Sequence, residues 1–184
     1  LLPFYYDLIN KHNLQQAYEF TAKLLAGLTE YQVRELINKV ILYEGKIITK
    51  RWVNGVEVNK GIVLNQKVVD LLFELSRKGY LIWIVSASPQ IFVEEAVRFF
   101  LPGLEVSCIG MRNKIVNGFL TPDLEYPTTT FEGKVFNINE YISKHEKPVL
   151  AIGDSMNDLA MLVHAQNQIV VDRNNQLSRI AKEK

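Results

Sequence analysis

Through the first 46 residues, apolar side chains recur every three or four positions, the spacing of amphipathic helices. Leu14, Ala17, Tyr18, Thr21, Leu24 and Leu25 form one stripe, and Val33, Leu36, Ile37, Val40 and Ile41 form another. Gly27 separates them, and Thr29 with Glu30 beside it has the chemistry of a helix start, so two or three packed helices are predicted. The segment KIITKRWVNGVEVNK (46–60) changes to alternating, β-branched residues around Asn54-Gly55, a strong hairpin signal. Val68, Val69, Leu72 and Leu75 then mark one face of a helix over 65–78 that ends at Gly79.

From Tyr80 the pattern becomes strand followed by helix, repeated. YLIWIVS is a continuous apolar run suited to a strand buried on both faces. Ser88 as N-cap and Pro89 as the first helical residue predict the helix behind it. VSCIG is the next strand, and KIV and FLT flank an Asn117-Gly118 turn. Gly133 precedes a helix over 134–145, VLAIG is a strand, and QIVV is a last short strand before a polar helical tail. The alternation predicts an α/β fold: a Rossmann-like parallel sheet core with helices on both faces over 61–184, preceded by a mainly helical cap insert over 1–60.

Composition narrows the partners. With 184 residues, 48% of them hydrophobic, the chain can bury a sizeable core. Its 21 basic and 20 acidic residues leave no net field for nucleic acid or an anionic membrane, so neither is expected as a partner. No apolar run approaches the ~20 residues of a membrane span, and the start lacks signal-peptide grammar. A soluble protein is expected, with the cytoplasm favoured and nothing in the sequence that fixes the compartment. The single Cys108 lies in an apolar strand with no basic neighbour and reads as an inert thiol. His12, His145 and His164 lack metal-ligand spacing.

The chemistry concentrates in GDSMNDLAML (153–162). Asp154 and Asp158 stand one helical turn apart directly after the apolar run VLAI, which brings acidic oxygens to the carboxyl edge of the sheet. Hard oxygen ligands of this kind suit Mg²⁺. The same residues also suit plain helix capping, with Asp154 or Ser155 as the cap of a helix beginning near Met156. Upstream, Ser86-Ala87-Ser88 ends a strand beside a helix start, half of a phosphate cradle. Lys134 opens a helix, where its charge opposes the macrodipole unless an anion compensates.

Taken together and in order, IVSASP, GKV and GDSMND resemble the second, third and fourth motifs of the haloacid dehalogenase-like hydrolase superfamily over about residues 60 to 175. SASPQIFVEEA, NGFLTP, EGKV and GDSMNDLAML are similar to its phosphoserine phosphatase branch, and GLEVSCIGMR followed by EGKV to the phosphorylcholine phosphatase relatives. The resemblance implies a Mg²⁺-dependent phosphomonoester hydrolase acting on a small phosphorylated substrate through an aspartyl-phosphate. It implies that Ser86 and the Ala87 amide hold phosphoryl oxygens and that Lys134 neutralises charge at the nucleophile. Asp154 would ligate Mg²⁺, Asp158 would stand behind it on the lysine or a metal-bound water, and Asn157 would touch the phosphoryl group.

The superfamily's first motif, DxDx[TV], is not found. Asp7 in FYYDLIN is the nearest candidate, but Ile9 stands where a second aspartate is needed, and Pro3 disfavours a central strand there. The opening Leu-Leu-Pro, without methionine, sets the expectation that the first core strand lies ahead of Leu1. The other reading is a chain that has lost its nucleophile and binds a phosphorylated ligand or partner without turnover. Phe4, Tyr5, Tyr6, Tyr43 and Trp52 make the N-terminal region aromatic, which suits either simple core or a pocket for a quaternary ammonium. Phosphoserine, phosphocholine and phosphoethanolamine all remain open as substrates.

Overall fold

A computed structural model describes residues 2–183 except 12, 46 and 54. His12 and Asn54, both singled out above, therefore lie outside the described residues. The N-terminal stripes form α1 (Leu2–Asn10), α2 (Leu14–Lys23) and α3 (Glu30–Glu44). Thr29 caps α3 as expected. Its hydroxyl accepts from the Gln32 amide while the Gln32 side chain accepts from the Thr29 amide, which satisfies two otherwise orphaned donors. Val33, Ile37 and Ile41 are buried, each contributing roughly 1.5–3 kcal/mol relative to exposure, whereas Leu36 and Val40 of the same predicted stripe stay exposed.

β1 (Thr49–Val53) and β2 (Val56–Lys60) pair antiparallel around the predicted turn, and α4 (Gln66–Arg77) follows. β3 (Ile82–Pro89) leads into α5 (Gln90–Phe100), then β4 (Val106–Met111), β5 (Asn113–Val116) and β6 (Phe119–Leu124). The helix after β3 starts later than expected. Pro89 still pairs with Met111 of β4, so Pro89 rather than Ser88 is the N-cap of α5, and it makes no side-chain capping bond. At the β5–β6 turn Asn117 and Gly118 both take positive φ, 53° and 83°, the requirement of a two-residue hairpin loop.

The last third holds α6 (Glu132–Tyr141), β7 (Leu150–Gly153), a 3₁₀ turn (Met156–Asp158), α7 (Leu159–His164), β8 (Asn167–Val170) and α8 (Gln176–Lys182). α6 stops short of the expected 145. The Ser143 hydroxyl accepts from the amides of His145 and Glu146, a local turn that competes with further helix.

The result is an α/β architecture with parallel strands and helices on both sides. Its parallel pairing is divided. β3 pairs with β4 and β7 with β8, each in parallel register, and among the described residues the two ladders do not join. Between them runs a trench lined by Ile84 and Val85 of β3, Ile152 and Gly153 of β7, and Val68 and Leu72 of α4. Strand patterns alone carry no information about which neighbours pair. One hydrophobic cluster draws on both sides of residue 60, joining Leu25, Val33, Ile37 and Ile41 to Ile91 and Leu120. The amides of Gly27 and Leu120 further stitch α2 to β6, donating to the carbonyls of Leu120 and Leu28. Among the described residues no helix is long and apolar enough to cross a membrane.

Candidate active site

The trench opens at the C-terminal ends of β3, β7 and β8, and the two form one cleft of about 470 Å³, lined at this end by Ser86, Ala87, Lys134, Asp154, Asn157 and Asp158. All six residues singled out from the sequence therefore meet, although the chain separates them widely.

Ser86 sits where the β3–β4 register slips between Val85 and Pro89, so the ladder skips Ser86, Ala87 and Ser88. The Ser86 hydroxyl accepts from the Ser88 amide at 3.1 Å, which leaves its own proton free to donate into the cleft. Its carbonyl is held from behind by the Thr129 hydroxyl at 2.5 Å.

Lys134 reaches the cleft from the first turn of α6 and is almost wholly buried. Its Nζ donates to the Val85 carbonyl at 2.8 Å and to Asp158 Oδ1 at 2.6 Å, two of the three bonds an ammonium can donate. The approach that makes this possible requires Gly133. A Cβ at that position would stand 1.9 Å from the Thr128 carbonyl oxygen. The helix start is further fixed by Asn157, whose Oδ1 accepts from the Phe131 amide at 2.9 Å. Phe131 takes φ +45°, an unfavourable conformation for a bulky residue, and this bond helps to hold it.

Asp158 is the buried knot of the site. Oδ2 accepts from the amides of Asp154 and Ser155 and from the Ser155 hydroxyl, each at 3.1 Å, while Oδ1 takes Lys134. Burial pushes its carboxyl up, but the Lys134 charge and these donors outweigh burial and hold it below the ordinary 3.8. The capping expectation from sequence is met as well. Ser155 caps the turn and Asp158 returns the bond to the Ser155 amide. Gly153 is the counterpart of Gly133, since a Cβ there would lie 2.6 Å from Asp158 Cβ.

Asp154 differs. Its carboxylate is partly exposed to the cleft, with Oδ2 at 3.1 Å from Arg173 Nε, and its backbone carbonyl accepts from Asn175 Nδ2 at 2.7 Å. Among the described residues no three His, Cys, Asp or Glu side chains gather as a full metal cage. One open carboxylate beside the Ser86 hydroxyl nevertheless fits Mg²⁺, which commonly takes one or two carboxylates plus phosphate oxygens and waters.

Two cleft residues, Arg173 and Tyr18, escaped the sequence reading, as did Asn175, which holds the Asp154 carbonyl. Arg173 and Asn175 lie in the loop after β8, in what read as a polar tail, although the end of the last parallel strand is the same rim that carries the motifs. Tyr18 was read as part of an apolar stripe. It is half-buried at the cleft, where burial and then Tyr5, Asp158 and Asp154 push its phenol above the ordinary 10.0. Asp7, by contrast, is on α1 and pairs with Lys11 at 2.6 Å in an exposed contact. The aromatic residues do not assemble a pocket. Phe4 packs on Phe20, Tyr5 on Tyr6, Tyr43 is faced by Lys60 at 3.9 Å, and Trp52 is exposed.

A family model described as haloacid dehalogenase-like hydrolase matches residues 2–163. The chain belongs to that family. Among solved structures, a protein of unknown function from Bordetella pertussis Tohama I is similar at 20% identity and TM-score 0.75, over 98% of this chain and 77% of that one. A haloacid dehalogenase family hydrolase from Salmonella enterica serovar Typhi is similar at 15% identity and TM-score 0.59, over 91% of this chain and 57% of that one. Phosphoserine phosphatase in its apo form is similar at 20% identity and TM-score 0.52, over 89% and 71%. At these identities the likeness is one of fold. No curated protein matches this haloacid dehalogenase-like hydrolase.

Proposed function

We propose that this protein works as a Mg²⁺-dependent phosphomonoester hydrolase on a small phosphorylated metabolite, with residues 1–60 as its cap. The observation that carries the reading is the convergence of Ser86, Lys134 and Asp154 on one cleft, with Asp158 binding the last two together. In this reading the nucleophile is a carboxylate on a strand seated in the trench between β3 and β7, which would complete the parallel sheet and bring its end to the same rim. Attack at phosphorus breaks the ester bond and releases the alcohol, forming an aspartyl-phosphate. Water then cleaves the acyl phosphate, giving inorganic phosphate and restoring the carboxylate.

Each residue has a distinct task. The Ser86 hydroxyl and Ala87 amide take phosphoryl oxygens, and Asn157 positions the start of α6. The third Lys134 proton faces the developing negative charge from a buried, fixed position, where electrostatic stabilisation is strongest. Asp158 holds the Lys134 ammonium in place and orients the turn that bears Asp154. Asp154 would hold Mg²⁺, which, when bound, supplies Lewis-acid neutralisation of phosphoryl charge.

Phosphate release from phosphoserine, phosphocholine and phosphoethanolamine by the full polypeptide tests the proposal. We expect turnover that requires Mg²⁺, is lost in Asp154→Ala, and falls by roughly 10²–10³ in Lys134→Ala. Full activity in Asp154→Ala would refute the metal assignment. Tight binding of inorganic phosphate with no turnover of any ester would replace catalysis by phospho-ligand binding.

A further inference from the structure

The loop after β8 is built around Asp154. Asn175 Nδ2 holds the Asp154 carbonyl, and Asn175 Oδ1 accepts from the amide and hydroxyl of Ser178. The buried Ser178 hydroxyl in turn accepts from the Arg173 amide at 3.0 Å. The backbone of Arg173 is thus pinned at the mouth while its side chain remains 64% exposed and lines the cleft. Only Nε engages Asp154, and among the described residues the two terminal guanidinium nitrogens have no protein partner. An exposed pair of this kind is worth at most about fivefold in an equilibrium constant. A divalent cation therefore displaces it readily, while the pinned backbone keeps the freed guanidinium within reach of the mouth.

We infer that Arg173 is an exchangeable counter-ion, neutralising Asp154 in the free protein and passing to the bound phosphate when a divalent cation takes that carboxylate. The inference rests on the proposed reading of the cleft as a metal and phosphate site. It has a consequence that a purely structural arginine does not share. Removing the guanidinium shifts two affinities in opposite directions, because Arg173 competes with the cation and cooperates with the anion. A fork of free donors suits a phosphoryl group, for which each charge-assisted bond is strong.

Isothermal titration of the full polypeptide with Mg²⁺ alone, and with inorganic phosphate at saturating Mg²⁺, tests this in wild type, Arg173→Gln and Arg173→Lys. In Arg173→Gln the Mg²⁺ Kd should tighten by about two- to fivefold while the phosphate Kd weakens by about tenfold or more. Arg173→Lys should recover part of the phosphate affinity. Unchanged phosphate affinity in Arg173→Gln, or Mg²⁺ and phosphate affinities moving in the same direction, overturns the exchange while leaving the site assignment intact. Failure of wild type to bind either ligand overturns both together. Because no turnover is measured, the result is independent of the nucleophile.

Discussion

Two ion pairs grip the same acidic turn, and they are opposites. Lys134 and Asp158 meet at 2.6 Å with side chains only 4% and 10% exposed, whereas Arg173 and Asp154 meet at 3.1 Å with 64% and 43% exposed. For the first pair, desolvation is severe, and the arrangement persists because the other Asp158 oxygen also finds three protein donors. For the second, water and salt compete freely. Burial, rather than charge type, separates a carboxylate that is framework from one that can change partners.

The contrast can be broken most directly at its buried end. Asp158→Ala strands the Lys134 ammonium and should lower the unfolding free energy by about 3–5 kcal/mol, measured by urea denaturation. A loss below about 1 kcal/mol would place the pair with ordinary surface contacts. Next, Mg²⁺ at roughly 100 times its Kd should stabilise wild type by about 2.7 kcal/mol and leave Asp154→Ala unmoved, read by thermal denaturation. Gly133→Ala drives a methyl toward the Thr128 carbonyl and should destabilise by roughly 1–3 kcal/mol, with Lys134 displaced along with the helix start.

A mixed pair sharpens the comparison through pH. Glu95 is buried, while its partners Arg34 and Arg98 are much more open. Burial pushes its carboxyl up, but the bonds and charges of Arg98 and Arg34 prevail and hold it below the ordinary 4.5. Because the folded carboxyl binds its proton less readily than the unfolded one, its stabilisation is complete above 4.5 and lost as pH falls through the lower folded value. Glu95→Gln should therefore flatten the fall of the urea midpoint on acidification below 4.5 relative to wild type. The smallest effect belongs to Arg173→Ala, about 0.2–1 kcal/mol in stability and less at high salt.

The buried end of this comparison was the more legible one. Strand-then-helix patterning led to Ser86, Asp154 and Asp158, because residues at the ends of parallel strands converge whatever their distance along the chain. Lys134 was legible as a lysine after Gly133 at a helix start, although that helix follows the antiparallel β5–β6 hairpin. Capping chemistry was readable at Thr29 and at Ser155–Asp158, where the bonds are local in sequence. Contacts made by long flexible side chains were not. Nothing in VVDRNN announces that Arg173 turns back onto Asp154, and Tyr18 matched a core stripe because helical periodicity reports a face and not what lies opposite it. The runs YLIWIVS and VLAIG by themselves carry the same apolar signal whether one ladder or two receives them.

Gly153 carries the site's constraint into evolutionary time. The other three positions of β7, Leu150, Ala151 and Ile152, are apolar side chains of different sizes, a kind of position where repacking lets substitutions drift. Even the smallest addition at 153 collides with Asp158. Random mutagenesis under selection for folding should therefore leave a strand of changeable letters closed by one that never varies.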